Sequence, residues 1–119
     1  MKPVYHANLS VKKYGGDRKD YLPIHNFIDS SKSAYADSRH RAVLHSTFGI
    51  FLVEQVFGEI IINSNGKEIC TRDIAEDHVI QDLGFIPTVE KWLESLQLAP
   101  WMMGDRVASA KTKTVIKFD

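Results

Sequence analysis

"DSRHRAVLHSTFGIFLVEQVFG", residues 37–58, is the stretch that decides the fold. Its first half carries Arg39, His40, Arg41 and His45. Its second half is apolar almost all round and closes on Gly58, a residue that ends helices readily. The pattern predicts one long helix over residues 37–57, buried at the centre of a helical domain, with positive and imidazole groups gathered at its entrance.

Working outward, residues 3–14 read as a helix that begins with Pro3 in its first turn and stops at Gly15 and Gly16. A second helix is expected to start near Pro23, with Asp20 as its cap, and to fade in "SSKSAY". Beyond Gly58, two β-prone stretches flank Asn65–Gly66, which predicts a hairpin at about 59–70. Thr71 then reads as the cap of a fourth helix closed by Gly84. Thr88 reads as the cap of a fifth, which Pro100 breaks. "TKTVIKF" near the C-terminus alternates like an edge strand. The expected fold is mostly α, with about five helices, a small β-hairpin and a C-terminal edge strand, an α+β arrangement. Residues 1–104 form one domain and 105–119 a tail.

The 119 residues suit a single domain, and 44% hydrophobic with 25% charged is an ordinary globular composition. Fifteen basic and fifteen acidic side chains cancel, which argues against a duplex nucleic-acid binder. A small anion needs only a local cluster, so it is not excluded. The single cysteine, Cys70, rules out an internal disulfide and fits a reducing cytoplasm. No apolar run has the length of a membrane span, so no membrane partner is expected.

Five ordered motifs, "HANLSVKKYGG", "DYLPIHNFIDSSK", "DSRHRAVLHSTFGIF", "RDIAEDHVIQDLGFIPT" and "PWMMG", resemble a small uncharacterised domain family of phages and bacteria. The resemblance covers residues 5–104 and brings no settled enzymatic activity with it. The chain also looks like the phage sponge proteins that counter host immunity by sequestering cyclic dinucleotides of CBASS defence. That likeness implies a homo-oligomer, a dimer or tetramer, working in the host cytoplasm and keeping its cyclic nucleotide ligand intact.

The residues suggest two chemistries. For capture of an anion, Arg39, Arg41, His40 and His45 supply guanidinium forks and imidazoles. On one predicted helix face Arg41 and His45 stand four apart. The N-terminal helix adds Tyr5, His6, Lys13 and Tyr14, aromatics interleaved with cations. Trp101 offers a ring for stacking a base or anchoring a subunit contact. This leading reading needs no cofactor, no metal and no catalytic residue. The alternative is a metal-dependent phosphodiesterase or phosphohydrolase using His25, Asp29, His45, His78 and Asp82. Its basis is two His–Asp pairs, each four residues apart on a helix. A third reading is a protein–protein inhibitor of a host factor. Glu54, a carboxylate inside "FLVEQVF", is expected to tie to Arg72.

Overall fold

The computed structural model describes residues 1–104. The expected edge strand and tail at 105–119 lie outside the described residues. Among the described residues the fold has five α-helices and a two-stranded antiparallel sheet. They are α1 (Pro3–Tyr14), α2 (Arg18–Ile28), α3 (Thr47–Phe57), β1 (Ile60–Ile62), β2 (Glu68–Cys70), α4 (Thr71–Leu83) and α5 (Val89–Leu93). Short 3-10 turns occupy Ser30–Ser33, Ser38–Arg41 and Pro100–Met103. Among the described residues no helix is long and apolar enough to cross a membrane.

Helix α2 starts five residues before Pro23. Asp20 is its third residue, and its carboxylate accepts the Asp17 backbone N–H at 2.7 Å. Asp17, not Asp20, is therefore the cap. Pro23 sits inside the helix on its exposed side. The hairpin forms as expected, with Ile60 opposite Cys70 and Ile62 opposite Glu68. Asn63 fastens it to the α1–α2 corner: its side-chain amide donates to the Tyr21 hydroxyl at 3.2 Å, and that hydroxyl donates to the Gly15 carbonyl at 2.6 Å. Thr71 is the first residue of α4 and not its cap; its hydroxyl donates to the Gly58 carbonyl. Gly84 ends α4 in the left-handed region, at φ 83°.

The long helix expected at 37–57 does not form. Its first half is a 3-10 turn and a bent loop, and α3 begins at Thr47. Ser46 causes the break: its hydroxyl accepts the Gly49 N–H, capping α3. Before it, the Leu44 N–H reaches the Ala42 carbonyl at 3.1 Å around Val43, at φ 79°. That is a γ-turn through a conformation β-branched residues rarely adopt. Gly49 permits the fold-back, because a Cβ there would stand 1.8 Å from the Leu44 carbonyl oxygen. Two bonds clamp the loop to the α4–α5 region. The Thr47 N–H donates to the Pro87 carbonyl at 2.9 Å, and the Trp92 indole N–H donates to the His45 carbonyl at 2.9 Å.

The core lies between α1, α2, α3 and α4. Tyr21, Ile24 and Ile28 of α2 meet Ile50 and Val53 of α3 and Ile74, Ala75 and Val79 of α4. Glu54 is half-buried, but Arg72 pairs with Glu76 at 3.7 Å, so the expected Glu54–Arg72 tie is absent.

Candidate metal centre

The core-facing stripes of three helices each include a histidine. On α2, His25 continues the stripe of Tyr21, Ile24 and Ile28; on α4, His78 continues Ile74, Ala75 and Val79; on α1, His6 lies beside Ala7 and Ser10. His45 enters from the bent loop ahead of α3. All four are fully buried. Such positions usually hold aliphatic side chains. Here they form a polar node at one end of the core, with the His6 and His78 rings stacked 3.7 Å apart.

Two carboxylates complete the node: Asp29, the residue that ends α2, and Asp82, one turn past His78. The Asp82 side chain is only 1% exposed. Its Oδ2 faces His45 Nε2 at 2.9 Å and His78 Nε2 at 3.3 Å, and its Oδ1 faces His6 Nε2 at 3.1 Å. Asp29 Oδ1 stands 3.2 Å from His78 Nε2 and 3.4 Å from His45 Nε2. The Met1 α-amino group also approaches Asp82, at 3.2 Å.

The electrostatics follow from this crowding. Burial alone would raise the Asp82 pKa, but hydrogen bonds from His45, His6 and His78 outweigh it and hold the carboxyl far below its ordinary value. Asp29 is lowered in the same way, mainly through His78. His78 is raised, because the two carboxylates overcome its desolvation. Burial dominates at His45 and lowers it. At His25, burial and the neighbouring imidazoles of His78 and His6 push the pKa down to about 3.

Behind the node runs an ordered chain of hydrogen bonds. The Ser10 hydroxyl donates to the His6 carbonyl at 3.1 Å, so its oxygen is left to accept from His25 Nε2–H at 2.8 Å. The neutral His25 then offers its Nδ1 lone pair to His78 Nδ1–H, 2.8 Å away. This turns His78 Nε2 toward the carboxylates, where its N–H donates to them and where, once deprotonated, the same nitrogen would face an ion. His6 is fixed likewise, with Nδ1 on Gln81 Oε1 at 2.6 Å and Nε2 on Asp82. Metal-binding histidines are characteristically oriented by such outer hydrogen bonds.

The spacing fits one divalent ion. Ligand atoms at about 2.1 Å from a metal stand about 3.0–3.4 Å from one another in octahedral or tetrahedral geometry. The facing pairs measure 2.9–3.4 Å. Ligand atoms of Asp29, His45, His78 and Asp82 all fall within 4.8 Å of one another, as do those of His6, His25 and His78. A mixed imidazole–carboxylate set suits Mn, Fe or Zn better than Ca or Mg.

Beside the node, and sharing Asp29 with it, lies a cavity of about 430 Å³ lined also by Met1, Lys2, Pro3, Tyr5, Asn26, Lys32, His40 and Arg41. Arg41 reaches inward, to 3.9 Å from Asp82 Oδ1.

The residues proposed for anion capture therefore separate. His6 and His45 belong to the node, while Arg41, His40 and Tyr5 line the cavity. Arg39 points elsewhere and is held by Asp37 at 2.7 Å. Lys13 and Tyr14 are both taken by Asp77, at 2.9 and 2.6 Å. Trp101 is exposed and does not line this cavity. The five residues of the metal reading do come together, joined by His6. Ser10, Gln81, Lys2 and Lys32 were not picked out for these roles. The readable signal for the node was histidine at core-facing spacing on α1, α2 and α4.

Fold and site define a small helical protein with a buried histidine–aspartate centre beside a cavity that Asp29 lines. The chain belongs to the family described as Domain of unknown function (DUF6915), whose model matches residues 1–102. No curated protein and no solved structure matches it.

Proposed function

We propose that this protein is a divalent-metal-dependent phosphohydrolase that cleaves phosphate esters, phosphodiesters among them. One observation carries the reading: two imidazole Nε2 atoms, of His45 and His78, and the carboxylates of Asp29 and Asp82 converge at ligand spacing beside a cavity that Asp29 lines together with Lys2, Lys32 and Arg41. Asp29, His45, His78 and Asp82 would hold the ion, with His6 on the second oxygen of Asp82. A bound ion supplies Lewis acidity, lowering the pKa of water and drawing charge from a phosphoryl oxygen. His25 and Ser10 fix the tautomer of His78. The cavity rim attracts the anionic ester and holds it beside the node.

The cavity equally favours a second reading, capture without turnover. Under it the protein is an oligomeric phage sponge for cyclic dinucleotides, with Arg41, His40 and Tyr5 as contacts. Its support is the cationic rim and the sequence resemblance. One experiment separates the two. Purified protein is assayed for bound metal by plasma mass spectrometry, then incubated with cyclic dinucleotides with and without Mn²⁺ or Zn²⁺. The hydrolase reading expects near-stoichiometric metal and a linear product that needs it, both lost in Asp82→Asn. Intact nucleotide released on heating supports the sponge. A wild-type chain that retains neither ion sinks the hydrolase.

A further inference from the structure

We propose that Arg41, Lys32 and Lys2 form a phosphate subsite which, with the Tyr5 ring on the same cavity wall, takes a nucleoside phosphate. The proposal deepens the hydrolase reading by naming its substrate class.

Two of the cations are unpaired and the third is only loosely paired. Among the described residues Lys2 and Lys32 form no ion pair, although the chain as a whole carries as many acidic as basic groups. Arg41 is three-quarters buried, its Nε has no hydrogen-bond partner, and its nearest carboxylate oxygen stands 3.9 Å off, beyond hydrogen-bonding distance. A guanidinium that lines a cavity with no close carboxylate on it is poorly satisfied unless an acceptor in the cavity takes up its remaining N–H groups. A phosphate oxygen does so, in the planar two-point geometry that arginine offers.

The wall is also built to hold these groups. The Ser31 hydroxyl donates to the His40 carbonyl, tying the turn that carries Lys32 to the turn that carries Arg41. His45 N–H bonds the Arg41 carbonyl at 2.9 Å, so the arginine backbone is joined to the metal centre itself.

Three positive side chains against one lining carboxylate, Asp29, match a phosphate dianion better than a carboxylate monoanion. Tyr5 lines the same cavity and is 54% exposed, so its ring is open to a base. Base–aromatic stacking tolerates any base, since each has a π-face. The volume of about 430 Å³ lies within the usual range for small-ligand pockets.

Isothermal titration of the full chain with inorganic phosphate and with AMP tests this, with EDTA and again with Mn²⁺. Lys2→Ala/Lys32→Ala alters two exposed side chains and leaves the node intact. It is expected to weaken both ligands about tenfold or more, given the strength of hydrogen bonds to charged groups. Its Mn²⁺ affinity should match wild type. Tyr5→Ala is expected to weaken AMP several-fold and leave phosphate unchanged. Wild-type affinity for both ligands in the double variant overturns the subsite, as does a wild-type chain that binds neither. Equal AMP affinity in Tyr5→Ala overturns the nucleoside assignment. Absence of Mn²⁺ binding counts against the hydrolase reading alone, because the EDTA titration still decides the subsite.

Discussion

Of the four clustered histidines, His25 alone hydrogen-bonds no carboxylate; its partners are Ser10 and His78. Its pKa of about 3 in the folded chain lies far below the ordinary 6.5, because burial and adjacent imidazoles oppose its charge. Between those values the unfolded chain binds a proton that the folded chain refuses. The stability tied to a neutral His25 is therefore complete above pH 6.5 and is lost progressively as pH falls toward 3. His78 works in the opposite sense: its raised pKa favours the folded state below 6.5 and ceases to do so as pH rises through the folded value. The lowered carboxyls of Asp29 and Asp82 matter only nearer and below pH 4. Replacing His25 with Gln keeps a donor and an acceptor but removes the titration. In EDTA, urea unfolding of Ser10–His25-intact protein should show a drop in stability between pH 7.5 and 5 that His25→Gln shows less of. Each pH unit of a fully active difference is worth about 1.4 kcal/mol. Parallel pH profiles for the two chains would refute this role for His25.

The elements that declare themselves locally were legible. Pro3 and the Gly15–Gly16 pair bound α1 at both ends, Gly84 ended α4, Thr88 capped α5, and Asn65–Gly66 placed the hairpin. Residues 37–46 were not, because neither proline nor glycine interrupts residues 37–48 to mark a break. Three effects bend the chain there: the Ser46 cap, the γ-turn at Val43 and the fold-back against Gly49. The bend matters to the site, since it brings His45 Nε2 to Asp82 while Arg41 turns toward the cavity. A straight helix would have fixed their spacing by its own pitch. Gly49→Ala drives a methyl group into the backbone of Leu44, the residue next to His45. The variant is expected to lose about 2–4 kcal/mol, at the upper end of ordinary single-substitution effects. Metal affinity should fall with it. Chemical denaturation and metal titration on the same sample check both, and a fully stable variant with unchanged affinity would contradict the fold-back.

At the scale of the molecule, the node closes contacts that are otherwise far apart in sequence: His6 with Asp82, His25 with His78, and His45 with Asp82. Sequence reading could assemble the pairs His25–Asp29 and His78–Asp82 from helical spacing. It could not bring His6 to them, because helix spacing says which side chains share a face and not which faces meet. Without a metal, the same cluster holds four imidazoles and the Asp82 carboxylate out of water, an arrangement whose desolvation is expensive. A cation bound there joins α2, α4 and the loop before α3, with α1 attached through His6 and Asp82, and it binds the folded chain in preference to the unfolded one. Linkage then requires the metal to raise stability, by about 2.7 kcal/mol at a hundredfold excess over the dissociation constant. For a domain near 100 residues that corresponds to a rise in melting temperature on the order of 10 °C or more. Differential scanning fluorimetry with Mn²⁺ or Zn²⁺ against EDTA should show such a rise in the wild type and none in Asp82→Asn. Mg²⁺ at equal concentration should give a smaller one, since imidazole donors disfavour it. Equal shifts in the wild type and in Asp82→Asn would place the ion elsewhere on the protein and remove the node from its proposed role.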